Sequence, residues 1–137
     1  MSVSYPIKNL DGIGPEAANS LKSAGIRTTG KFLEAAKHPK GRKKLAEKTG
    51  IDEKRLLRWA NAADRMRVGG LGKEYAELLR VVGVDTVREL RYRNPAHLAA
   101  AMAEANKKRK LVKLVPTEKA VSRWVENARK LTLKITY

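Results

Sequence analysis

The stretch Leu10-Asp11-Gly12-Ile13-Gly14-Pro15 decides how this chain is read, because a second copy follows at Gly69-Gly70-Leu71-Gly72-Lys73. After the first turn come Ala18, Leu21, Ala24, Gly25, Ile26 and Thr28; after the second, at one constant offset, come Ala76, Leu79, Val82, Gly83, Val84 and Thr86. So many glycine and apolar coincidences in register identify an internal duplication. Further on, Arg42-Lys43-Lys44-Leu45 is echoed by Lys108-Arg109-Lys110-Leu111, and Arg58-Trp59 with Ala63 by Arg123-Trp124 with Ala128. The expected organisation is two repeats, 1–68 and 69–137, sharing one core.

Local signals are helical almost throughout. Pro15 occupies the favoured first position of a helix over 15–24 that ends at Gly25. Thr28 or Thr29 caps a short helix bearing Phe32, Leu33 and Ala36, and Gly41 and Gly50 bracket another at 42–48. Asp52 caps a helix over 53–66 in which Leu56, Trp59, Ala60, Ala63 and Met66 recur at helical spacing. The second half repeats this with helices over 73–82 and 86–91, one opened by Asn94-Pro95, and one over 118–130 capped by Thr117. The alternation of Leu131-Thr132-Leu133-Lys134-Ile135-Thr136-Tyr137 predicts a minor terminal strand pairing with Val3 and Tyr5. Trp59 and Trp124, on apolar helix faces, are expected as core anchors.

Composition restricts the function classes. The 137 residues contain no cysteine, which excludes disulfides and thiolate metal sites. His38 and His97 stand alone and are expected at the surface or at helix caps, so neither a metal nor a cofactor is expected. The N-terminus lacks the apolar core of a signal peptide, and no apolar run approaches a membrane span. The expectation is therefore cytoplasmic, without a membrane partner. Thirty Lys plus Arg against 14 Asp plus Glu leave a net charge of +16, divided equally about Val68 at +8 a side. A folded domain this basic is expected to bind a polyanion.

A helix, a Gly-apolar-Gly turn and a second helix with a small residue four positions beyond resembles the helix-hairpin-helix motif. Residues 53–82, with Gly70-Leu71-Gly72 and Ala76, match it in full; Gly12-Ile13-Gly14 with Ala18 matches its second part. The expected fold is all-α: two tandem helix-hairpin-helix repeats in one pseudo-two-fold domain, with helix 118–130 serving as the first turn's missing partner. A domain-swapped dimer satisfies the same need. At the level of the whole chain, Gly12-Ile13-Gly14-Pro15, Ala24-Gly25-Ile26 with Thr28, Trp59-Ala60-Asn61-Ala62-Ala63-Asp64, Gly83-Val84-Asp85-Thr86 and Arg93-Asn94-Pro95 resemble the bacterial domain of unknown function 4332 family. That resemblance implies a fold and no activity. The Ala-Gly-Ile-x-Thr segment also resembles helix-hairpin-helix modules of recombinases and of the bacterial RNA polymerase alpha subunit.

The expected site is a phosphate grip. Glycine leaves no side chain between its amide and a phosphate oxygen, and the following helix adds its partial positive end. Gly12, Ile13 and Gly14 form one candidate turn, and Gly70, Leu71, Gly72 and Lys73 the other. Pro15 removes a donor from the first and Asp11 sets a negative charge beside it, so the second turn is preferred. Arg65, Arg67 and Arg80 are expected to add backbone contacts, with Arg42, Lys43 and Lys44 and with Lys108, Arg109 and Lys110. Phosphate contacts carry no base code, so the expected activity is non-sequence-specific duplex DNA binding, with RNA as a variant. The alternative is an adaptor whose basic face docks an acidic protein, or simply a solvated basic surface. No nucleophile elbow, phosphate-loop lysine or His-carboxylate cluster is present, so no catalytic residue is expected. Lys73 and Asp85 can be cast as a glycosylase pair, but Asp85 reads better as a helix cap beside Thr86.

Overall fold

The computed structural model describes residues 4–10, 12–71 and 74–137. The fold is all-α. After a 3-10 turn at Ile7–Asn9 come α1 (Gly14–Ser23), α2 (Thr29–Ala36), α3 (Pro39–Thr49), α4 (Glu53–Arg65), α5 (Ala76–Val81), α6 (Val87–Arg91), α7 (Pro95–Arg109) and α8 (Glu118–Lys130). Side chains that compete for backbone hydrogen bonds start most of these helices. Thr28 accepts from the Lys31 N–H, Asp52 from Lys54, Asn94 from His97 and Thr117 from Ala120. Thr86 and Glu89 form a reciprocal capping box at α6.

Two helices differ from the sequence expectation. α3 begins at Pro39 and runs through Gly41, which lies inside the helix. A Cβ on Gly41 would stand 2.1 Å from the Ala35 carbonyl oxygen, so only glycine permits α3 to pass so close to the end of α2. α5 begins at Ala76, not at residue 73.

The chain divides into two compact units, the described residues of Met1–Arg67 with Lys134–Tyr137, and Val68–Leu133. The first closes over Phe32, Leu33, Leu56 and Trp59, with α4 packed on α2 and α3. The second closes over Leu78, Leu90, Met102 and Trp124, with α8 packed on α6 and α7. Both tryptophans are core anchors, at 4% and 3% exposed. Helix 118–130, expected to serve the first turn, is thus a core helix of its own unit.

The expected pairing of the tail with Val3 and Tyr5 is not formed by the described residues; Val3 lies outside them. Instead the Thr29 N–H donates to the Tyr5 carbonyl at 2.8 Å and the Ile7 N–H to that of Arg27 at 2.9 Å, around an isolated antiparallel bridge of Pro6 with Thr28. The tail finds its partners elsewhere in the first unit. The Thr136 N–H donates to the Lys37 carbonyl at 2.8 Å, and the Tyr137 hydroxyl to Asn61 Oδ1 at 3.0 Å.

Candidate nucleic-acid interface

The first glycine turn runs straight into a helix. Gly12 and Gly14 are exposed and have φ of +75° and +74°, with no atom within 4 Å of a Cβ placed on either. Their requirement for glycine is therefore one of backbone conformation and not of space. Between them Ile13 is buried, anchoring the turn, and its N–H donates to the Leu10 carbonyl at 3.2 Å. Ile13 is also the N-cap of α1 and supplies no side-chain cap. The opening N–H groups of a helix have no intrahelical acceptor, and among the described residues no side chain caps those of this ten-residue helix, whose Pro15 has no N–H to offer. Asp11 lies outside the described residues.

The second turn is built differently. Gly70 has φ of +82° and is exposed, whereas Leu71 is buried and its N–H donates to the Val68 carbonyl at 3.2 Å. The turn is fastened through its carbonyls to α8: Trp124 Nε1 donates to Gly70 at 3.1 Å and Asn127 Nδ2 to Gly69 at 2.9 Å. The Tyr75 ring packs against Trp124 with centroids 5.1 Å apart. Gly72 and Lys73 lie outside the described residues, and Glu74 and Tyr75 precede the first residue of α5. The chain passes from the first unit to the second at Val68, between α4 and this turn.

The candidate cations separate into two groups. Arg42 is buried, donating from Nη1 to the Ala36 carbonyl and from Nη2 to the Thr136 carbonyl, each at 2.8 Å. Burial pulls its guanidinium below the usual arginine range, with the Tyr137 and Glu53 charges opposing that shift. Arg65 and Arg67 are both 4% exposed, and Arg67 Nε donates to Asp64 Oδ1 at 2.7 Å. Burial pushes the Asp64 carboxyl up, and Arg67 pulls it back down. These three arginines are structural and are withdrawn from the candidate interface. Lys43 and Lys44 on α3, Arg80 on α5, and Lys108, Arg109 and Lys110 at the end of α7 are exposed. The last three also complement the negative end of α7, where Lys110 takes a left-handed φ of 51°.

His38 is the N-cap residue of α3, its Nδ1 2.8 Å from Thr136 Oγ1. Asp85 immediately precedes the capping box, with its N–H on Glu89 Oε1 at 3.1 Å. No cluster of metal-ligating side chains exists among the described residues, and no described helix is long and apolar enough to cross a membrane. Asn127 was missed by sequence reasoning; its one signal is its place one turn after Trp124.

The model of the domain of unknown function DUF4332 matches residues 11–131, and the chain belongs to that family. No curated protein and no solved structure matches it.

Proposed function

We propose that this member of the family is a duplicated helix-hairpin-helix module that binds duplex DNA through its phosphate backbone, without sequence preference. The observation that carries the reading is the junction at 12–17: two exposed left-handed glycines deliver the chain into a helix start that no described side chain caps, in a protein of net charge +16. Against the sequence expectation, and although Pro15 offers no N–H, the first turn takes precedence over the second, because a ten-residue helix begins at once after it, whereas α5 begins only at Ala76 and has six residues. Exposed Lys43 and Lys44 of the same unit supply further charge.

A fluorescence-anisotropy titration against matched duplex DNA, single-stranded DNA and duplex RNA, at several salt concentrations, tests this. With roughly six phosphates neutralised, log affinity should fall against log salt with a slope near about −5. Replacing Gly12 and Gly14 together by alanine should cost at least about tenfold in duplex affinity, with the helical circular dichroism retained, if amides at the turn grip phosphate. Weak binding to all three nucleic acids, or binding indifferent to those glycines, overturns the reading.

A second reading, docking of an acidic protein partner, is favoured by one observation. Leu114 and Val115 are 80% and 41% exposed beside Lys113 and the cations at 107–110. Loss of binding on changing Leu114, with no nucleic-acid affinity to begin with, selects it.

A further inference from the structure

A cleft of about 310 Å³ opens beside the close crossing of α2 and α3. Gly41, Lys44, Leu45 and Lys48 recur at helical spacing and line one wall. Ile26, Ala35 and Leu45 give it an apolar floor, and Lys31, Lys44 and Lys48 rim it. No carboxylate among the described residues lines it. The nearby Glu34 is engaged by Lys37 and Lys134, and none of the three rim lysines has an ion-pair partner among the described residues. Three lysines bordering one apolar hollow place positive charge at its edge, where an anion is attracted.

The shape and charge limit what fits. The volume is at the lower end of ligand pockets, enough for one nucleotide-sized group. Three cations suit the near-double charge of a phosphate monoester better than the single charge of a backbone diester. The apolar floor suits a planar or apolar body attached to it. We propose that this cleft binds a nucleoside phosphate monoester, with the phosphate on Lys31, Lys44 and Lys48 and the base on Ile26, Ala35 and Leu45. The monoester comes either from a free mononucleotide or from the phosphorylated end of a strand. The cleft adjoins Ala24 and Gly25, at the far end of α1 from the turn at 12–14, so it is a second site that shares only Lys44 with the cations proposed for duplex binding, and the variants below leave Lys44 in place.

Calorimetric titration of the whole chain with adenosine 5′-monophosphate, adenosine and inorganic phosphate tests the inference. The nucleotide should bind at least about tenfold tighter than either fragment, because only it engages both floor and rim. Lys31→Ala and Lys48→Ala should each weaken it about tenfold, while Lys54→Ala, an equal change of net charge at the start of α4, leaves it unchanged. Nucleotide binding that is absent, or that responds equally to all three substitutions, overturns the proposal.

A second arm compares 5′-phosphorylated with 5′-hydroxyl strands of one sequence. A preference of about tenfold for the phosphate, abolished in the Lys31→Ala, Lys48→Ala double variant, assigns the strand end. Nucleotide binding without that preference assigns the free nucleotide. Duplex binding that persists while the nucleotide fails to bind overturns this inference alone; nucleotide binding without duplex binding overturns only the reading of the first turn.

Discussion

Arg42 and Lys43 are adjacent basic residues with opposite fates, and the difference is measurable. The Arg42 guanidinium holds the Ala36 and Thr136 carbonyls inside the first unit, so Arg42→Ala leaves both without their donor. The expected loss is about 3 kcal/mol in urea unfolding. Lys43→Ala, at an exposed site, should stay within about 0.5 kcal/mol while lowering the salt slope of DNA binding by about one. A neutral Arg42→Ala would return that residue to the candidate surface. Glu34 supplies a pH signature. Lys134 first, and then Lys37, hold its carboxyl down at about 2 from a usual 4.5. A depressed carboxyl contributes stability above its unfolded value, lost as pH falls from 4.5 towards 2. The side chain is half exposed, so the contribution at neutral pH is under about 1 kcal/mol. Glu34→Gln should therefore lower the urea midpoint slightly at pH 7 and converge on the parent as pH falls through about 2.

At the scale of the elements, Gly41 shows packing overriding propensity. Alanine in a helix interior is favoured over glycine by about 1 kcal/mol. Here the added Cβ would meet the Ala35 carbonyl at 2.1 Å, a backbone atom that moves only with its helix. Gly41→Ala should thus destabilise, by about 2 kcal/mol, and thermal melting will show the sign. This is where the limits of the sequence lie. The caps at Thr28, Asp52, Asn94 and Thr117 and both tryptophan anchors were legible, because each depends on neighbours within a turn or two; the cap of α6, expected at Asp85, is Thr86, one residue on. The glycine inside α3 was misread as a boundary, since its reason is a carbonyl on another helix. Arg42 was misread as surface because its second acceptor, Thr136, is remote in the chain. The tail pattern at 131–137 has a strand's alternation, yet the bonds of its residues 134–137 include Glu34, Lys37, His38, Arg42 and Asn61, none of which lies in a strand.

At the scale of the whole molecule, each unit has its own apolar core, and residues 134–137 belong to the first. Removing those four residues deletes the Thr136 acceptor of Arg42, the Lys134 partner of Glu34 and the Tyr137 bond to Asn61. Amide hydrogen exchange should then accelerate through α2, α3 and α4 while the core amides of α7 and α8 keep their protection. Uniform acceleration across both units would show that they unfold as one. The same threading has a consequence for biosynthesis. Domains generally fold as units from the N-terminal side as the chain emerges, but here the N-terminal unit contains residues made after the whole of Val68–Leu133. On the ribosome, then, the unit translated first is the unit finished last. Until residue 136 appears, Arg42 is a positive charge waiting beside a half-built wall.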